Sequence, residues 1–196
     1  MNDETLDAVI IDCGAFYPEE RRAITEYIRD NRLTPRHLIA THAHIDHNFG
    51  NDTIFREFGL RPEVCAKDEC LMGKLSEQAM LFANIRIDYA MPAVGKYFDD
   101  GDTISFGTHS LDIIRTPGHT PGSVFLYCKD EKLAFSGDTL FNMSIGRTDF
   151  EFGSYNDIIE SLHNKVCQLP DDTTILPGHG PKTTVGREKQ LNPYMK

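Results

Sequence analysis

No stretch of this chain is apolar for long enough to cross a bilayer. Its longest apolar runs are a few residues, whereas a spanning helix needs about 20. The opening residues, Met1-Asn2-Asp3-Glu4-Thr5, are acidic and lead into no apolar core, so no signal peptide is expected. Basic residues are in deficit: 20 Lys and Arg stand against 30 Asp and Glu, a net charge of -10. That argues against nucleic acid as a partner, because phosphate contacts need a basic surface, and against attachment to an anionic membrane. Cysteine is sparse. Cys13, Cys65, Cys70, Cys128 and Cys167 are odd in number, scattered, and never spaced as C-x-x-C. They are expected to be reduced thiols of a cytoplasmic protein. Repeats, linkers and low-complexity segments are absent. What remains is 196 residues, 40% hydrophobic and 26% charged. That suits a soluble globular chain, expected to form a single domain over residues 1–196 with a sizeable core. The sequence does not set its oligomeric state.

Against this ordinary background, Thr41–Gly50 (THAHIDHNFG) places three histidines and an aspartate within six positions, directly after an apolar segment that reads as a strand end. In an extended segment His42 and His44 point the same way. Asp46 falls where a helix could begin, as a favoured N-cap, and His47 would sit in its first turn. Neutral imidazoles and a carboxylate converging on one cavity suit zinc, iron or manganese.

The rest of the chain reads as alternating elements. Strands are expected at Asp7–Asp12, His37–Thr41, Glu63–Ala66, Thr103–Phe106, Leu111–Arg115, Ser123–Lys129, Leu133–Ser136 and Thr173–Leu176. Helices are expected at Glu19–Asn31, with Ile24, Tyr27 and Ile28 facing inward, at Asp52–Phe58 closed by Gly59, through Lys67–Asp88, at Ser154–Cys167 with Ser154 as N-cap, and at Thr184–Gln190. Within Lys74–Tyr89, Met80, Leu81 and Phe82 are expected to pack on the core, with the wall of a binding pocket as the alternative. This order implies two sheets covered by helices.

Three further motifs lie at predicted strand ends. Thr116–Ser123 (TPGHTPGS) holds His119 between tight turns, Ser136–Phe141 (SGDTLF) offers Asp138, and Pro177–Pro181 (PGHGP) offers His179. Each alone is a common turn. Together they raise the candidates to His42, His44, Asp46, His47, His119, Asp138 and His179. A tetrahedral zinc takes four ligands, so this set suits two metals about 3.5–4 Å apart. One division gives His42, His44 and His119 to one metal, Asp46, His47 and His179 to the other, and Asp138 to both. His37, His109 and His163 are left with structural or solvent roles.

The series T-H-x-H-x-D-H, P-G-H-T-x-G-S, G-D-T-L-F and P-G-H-G resembles the metallo-β-lactamase superfamily, and within it the short, single-domain glyoxalase II-like hydrolases. The resemblance runs from about Asp7 to the C-terminus. It implies an α/β (α+β) fold of the four-layer αββα sandwich type, with the same seven residues as ligands of two divalent metals, zinc first and iron or manganese as alternatives. It implies a thioester hydrolase of the hydroxyacylglutathione type, using a metal-bridging hydroxide on a small-molecule thioester, with Asp46 both ligating a metal and orienting the nucleophile. Ser144–Phe150 (SIGRTDF) resembles a loop bordering the site in that branch. Arg147 is thus a candidate for binding an anionic part of the substrate, with an ion pair to Asp149 as the equal alternative. A lactonase is a further alternative, but lactonases of the superfamily usually carry another histidine in the turn where this chain has Ser123, which favours the thioesterase-like branch. An aspartate at the Asp46 position argues against β-lactam hydrolysis. Persulfide dioxygenases, with one iron, share the G-R-T-D loop and are the alternative from another reaction class, although the PGHGP turn argues against them. The family's first sheet opens with additional strands before I-D-x-G, which here arrives at Ile11–Gly14. A bare, apolar edge is therefore expected at Ala8–Ile11.

Overall fold

In the computed structural model of the protein, residues 1–2 and 4–196 are described. They form two compact units, one comprising Met1–Phe98 with Ser105–His109 and the other Asp99–Ile104 with Ser110–Lys196. None of the helices is long and apolar enough to cross a membrane among the described residues.

The first unit begins with β1 (Asp7–Ile11), α1 (Pro18–Asp30), β2 (Thr34–Ile39), α2 (Asn51–Phe58) and β3 (Pro62–Cys65). It continues with α3 (Glu69–Met72), α4 (Leu75–Ala83) and β4 (Lys96–Phe98). Its sheet has the order β1-β2-β3-β4, and every pairing is parallel. Parallel neighbours need crossovers, and α1 and α2 supply the first two. All four carboxyl ends therefore emerge at one sheet edge, the edge where open α/β sheets place ligands.

α1 has Pro18 in its first turn, acidic Glu19 and Glu20 at its positive end, and Glu20 reaching back to the Phe16 and Tyr17 amides at 3.0 Å. Ile28 turns inward and Ile24 is half-buried against the same cluster. Tyr27, expected inward, is 55% exposed. α2 ends at Gly59, whose φ of +74° closes the helix in the left-handed region. Two apolar clusters hold the unit together. Ile10, Leu38, Ile54 and Ile28 join sheet to helices, and Val64, Phe49, Leu71 and Leu75 pack beneath the histidine loop. Among the described residues, β1 pairs only with β2. Its outward Val9 and Ile11 are half-buried, and Asn2 folds the preceding turn by accepting from the Glu4 and Thr5 amides at 3.1 and 2.9 Å.

The Lys67–Asp88 stretch is not one helix. α3 and α4 are separate short pieces and no helix continues past Ala83. Asn84 takes a left-handed φ of +53° there. Nor do Met80, Leu81 and Phe82 pack on the core. Leu75, Gln78 and Ala79 form the inward face, and Leu81 is 77% exposed, Met80 and Phe82 46% each.

The second unit holds β5 (Thr103–Phe106) as far as Ile104, β6 (His109–Arg115) from Ser110, β7 (Val124–Cys128), β8 (Leu133–Gly137), β9 (Leu140–Phe141) and β10 (Ser144–Ile145). It ends with α5 (Tyr155–Asn164), β11 (Thr174–Pro177), β12 (Thr183–Thr184) and α6 (Val185–Leu191). The large sheet runs β12-β11-β8-β7-β6-β5. β6, β7 and β8 form an antiparallel meander, and β11 lies parallel to β8. β6, β8 and β11 thus share one direction, so the segments after Arg115, Gly137 and Pro177 leave from the same edge. Phe125, Leu140, Leu162 and Ile175 form its core. Ser154 caps α5 by accepting from the Asp157 amide, and Thr184 caps α6. The mixed α/β architecture expected from the sequence is present in both units.

Candidate metal centre

In the first unit the chain leaves β2 and is fully buried at Ala40–His44. His42 and His44 are one residue apart along an extended segment, and their rings meet edge-on at 4.9 Å. His47 brings its ring within 4.1 Å of His42. Ligand atoms of His42 and His44, of His42 and His47, and of Asp46 and His47 each lie within 4.8 Å of one another. Asp46 is not an N-cap. It sits inside a 3₁₀ turn, Ile45–His47, whose cap position is His44. The tighter turn swings the Asp46 carboxylate outward, half exposed, with Oδ2 3.7 Å from His47 Nε2.

Hydrogen bonds tie this loop down on several sides. Ala43 N donates to buried Asp68 at 2.9 Å, and Ile45 N donates to the Gln78 carbonyl at 3.1 Å. The Gln78 amide returns a bond to Ala43 O at 3.0 Å, and Asn48 donates to His44 O at 2.7 Å. Gly14 is required because a Cβ there would lie 2.3 Å from Asp46 O.

Asp12 closes this set of bonds. It takes a left-handed φ of +52°, a region Asp tolerates better than most residues. Its Oδ1 accepts from Thr41 N at 2.7 Å, and its Oδ2 accepts from Thr41 Oγ1 at 2.7 Å and pairs with His47 Nδ1 at 3.0 Å. A carboxylate only accepts, so His47 carries its proton on Nδ1 and its lone pair on Nε2. The Thr41 proton is spent on Asp12, so His42 Nδ1, 3.1 Å from Thr41 Oγ1, is the donor there too. One carboxylate therefore sets the tautomer of two histidines, the arrangement that orients metal-binding imidazoles. The sequence reading missed this role. The signal available was an acid directly after a buried parallel strand, two residues before a glycine.

In the second unit His119 is buried in the turn after β6, and its Nδ1 donates to the Arg147 carbonyl at 2.8 Å. Its Nε2 is again the lone-pair nitrogen. Asp138 follows β8 and His179 follows the parallel neighbour β11. Asp138 Oδ2 lies 3.6 Å from His119 Nε2 and 3.6 Å from His179 Nε2. These distances are too long for hydrogen bonds and suit donors sharing a cation. Gly146 lets the Ser144–Phe150 segment pass over this turn, since a Cβ there would lie 1.8 Å from Asp138 O. Gly118, at φ +139°, lets the turn abut α5, where a Cβ would lie 2.3 Å from Ile158 N. Ser123, buried, holds the turn by accepting from Thr120 N at 3.1 Å.

Arg147 is exposed and forks onto Asp149, at 2.6 and 2.7 Å, while its guanidinium covers the Phe150 ring at 3.9 Å. That pairing holds the Asp149 carboxyl below its ordinary value and raises the Arg147 guanidinium. His37 pairs with Glu63 at 2.6 Å, a structural role as expected. Burial pushes the Cys13 thiol up to about 11, so it is a neutral packing group at neutral pH.

The chemistry of both donor sets fits divalent cations: imidazoles, of which His42, His47 and His119 have Nδ1 engaged and Nε2 left as the ligand atom, and carboxylates beside them. The profile of the metallo-beta-lactamase superfamily matches residues 5–179. Hydroxyacylglutathione hydrolase GloC of Haemophilus influenzae is 36% identical, covering 98% of this chain and 89% of its own. The human mitochondrial persulfide dioxygenase ETHE1 is 32% identical over 98% of this chain and 68% of its own. Among solved structures, the BLEG-1 B3 metallo-beta-lactamase superposes with a TM-score of 0.89 at 34% identity, covering 99% of this chain and 90% of that one. TTHA1623 in a di-iron-bound form gives 0.82 at 29% identity, covering 94% and 87%.

Proposed function

Because this chain belongs to the metallo-beta-lactamase superfamily, we propose that its two donor sets serve one dinuclear centre and that it hydrolyses a small-molecule thioester of the hydroxyacylglutathione type. His42, His44 and His119 would hold one metal, Asp46, His47 and His179 the other, and Asp138 would serve both. The observation that carries this reading is the fixed tautomer of His47 and His119: Asp12 and the Arg147 carbonyl engage Nδ1, and Nε2 is left as the ligand atom. The relative named a hydroxyacylglutathione hydrolase supports the substrate class. The di-iron neighbour supports the metal count and keeps iron beside zinc and manganese.

When bound, two divalent metals supply a water acidic enough to ionise near neutral pH and a Lewis acid for the substrate carbonyl. The chain's own residues do the rest. Asp46, half exposed beside His47, would accept a hydrogen bond from the attacking water and aim it. The buried hydrogen bonds of Asp12, Asp68, Gln78 and Asn48 keep the histidines from reorganising during the reaction. A thiolate is a weak base, so its departure needs no strong general acid. Phe82 lies 6.2 Å from His44, ring to ring, and with Leu81 it offers an apolar wall for the arms of the substrate.

The test is metal analysis of the purified protein together with turnover of a thioester panel led by S-lactoylglutathione. The relative named a persulfide dioxygenase favours a second reading, so oxygen uptake with glutathione persulfide is measured in parallel. The neighbour described as a B3 enzyme adds a β-lactam arm, against the expectation drawn from Asp46. Oxygen uptake with one iron per chain and no thioester turnover refutes the proposal.

A further inference from the structure

The basic residues of α1 and α2 are segregated. Arg21, Arg22 and Arg29 are all that α1 carries, and Arg56 is all that α2 carries. All four line one cavity of about 290 Å³, with Thr53 and Glu57. On α1 the positions 21, 25 and 29 repeat every four residues and so form one ridge. The acids of α1, Glu19, Glu20, Glu26 and Asp30, do not line the cavity, and of the α2 acids Glu57 does.

The arginines are only partly neutralised. Arg21 is structural: it binds Asp52 at 2.7 Å, Thr53 Oγ1 at 3.0 Å and the Phe49 carbonyl at 2.7 Å. Arg29 pairs with Glu57 at 2.5 Å, and Arg56 approaches Asp52 at 3.4 Å and Glu57 at 3.6 Å. Arg22 is exposed on the rim and makes no ion pair among the described residues. Four cations against Asp52 and Glu57 leave a surplus of two positive charges, in a chain whose net charge is -10. Like charges held on facing ridges repel one another unless an anion joins them.

We propose that this groove is a binding site for a phosphate-bearing small molecule, distinct from the metal centre. A dianionic phosphoryl group matches the surplus of two charges. Guanidinium forks are the side chains best matched to phosphate oxygens. Thr53 Oγ1 accepts from Arg21 and, at 3.4 Å, from Arg56, which leaves its own proton to donate to the anion. At about 290 Å³ the groove sits at the small end of ligand pockets, about 300–1,000 Å³. It holds a phosphate or diphosphate and leaves the remainder of the molecule outside.

The test is calorimetric titration of inorganic pyrophosphate into the metal-loaded protein at low salt, for the unmodified chain, Arg22→Ala and Arg22→Lys. Pyrophosphate held at the metal centre is insensitive to Arg22, so only affinity lost on substitution counts. Loss of a charge-assisted fork is expected to weaken binding at least ~10-fold in Arg22→Ala and less in Arg22→Lys. Affinity should fall as salt rises. Arg22→Lys keeps the charge and serves if the alanine variant does not fold. Equal affinity in all three proteins, or no binding at about 1 mM pyrophosphate, overturns the proposal. Tighter binding of a poly-glutamate peptide than of pyrophosphate also overturns it, because the groove would then serve an acidic protein partner.

Discussion

Asp12→Asn is the sharpest single perturbation of the histidine loop, because it keeps the side chain's shape while removing its negative charge and one proton-accepting edge. Asn tolerates the left-handed backbone at this position, φ +52°, and matches Asp in volume, so the β1 end should stay in place. What changes is the hydrogen-bond parity. The Asp12 carboxylate receives three donors: Thr41 N on Oδ1, and Thr41 Oγ1 and His47 Nδ1 on Oδ2. An amide has one accepting oxygen. Whichever way it is turned, an N–H faces a donor. If the NH₂ takes the Oδ2 position, His47 must move its proton to Nε2 to relieve the clash, and the ligand atom is lost. If it takes the Oδ1 position, the buried Thr41 amide is left unsatisfied, at a cost of about 1–3 kcal/mol. Replacing an outer partner of a metal-binding histidine lowers metal affinity about 10–100-fold, and that range is expected for the metal bound by His47. Competition against a calibrated chelator measures the affinity. Nitrogen NMR of labelled histidine reports the His47 tautomer without reference to activity. Unchanged affinity with His47 still protonated on Nδ1 would refute the reasoning.

Three further perturbations follow from the same geometry. Asp46→Asn keeps shape but removes the half-exposed carboxylate beside His47. A fall in kcat of about 10²-fold or more is expected, and near-normal kcat would reduce Asp46 to a turn residue. Gly146→Ala puts a Cβ 1.8 Å from the Asp138 carbonyl. The segment must lift, costing about 1–3 kcal/mol by overpacking, and it takes the Arg147 carbonyl away from His119, so thermal stability and metal affinity should fall together. Cys13 has its folded-state pKa raised by burial to about 11 from an ordinary 9.0. Its contribution is therefore complete below pH 9 and is lost as pH climbs through 11, with an upper bound near 2–3 kcal/mol. The Tm of the unmodified protein should drop more steeply than that of Cys13→Ala across this window, and parallel curves would count against a buried, protonated thiol.

Much of this was legible in the sequence where periodicity and turn chemistry agree. The parallel strands, α1, α2, α5 and α6 fall within a few residues of their expected limits, because apolar spacing and caps such as Gly59, Ser154 and Thr184 act locally. Short ladders escaped notice. β9, β10 and β12 pair two residues each, too few for any alternation to show, and the three-residue β4 is recognisable only through its neighbour β3. The Lys67–Asp88 stretch misled because helix formers signal propensity, not continuity. Asn84, in the left-handed region, ends it early, and Met80, Leu81 and Phe82 face solvent on a helix expected to bury them. At the centre the histidines and acids were named from motif order, but what sets their tautomers was not. Asp12 lies 29 residues before Thr41 and 35 before His47, and only the parallel pairing of β1 with β2 brings them together.

Metal stoichiometry of the active protein tests the central claim most directly. The purified chain, loaded to constant thioester turnover and freed of excess metal, should hold two divalent ions. His179→Ala should hold one and lose nearly all hydrolysis. Full thioester activity with a single metal per chain in the unmodified protein would contradict the account.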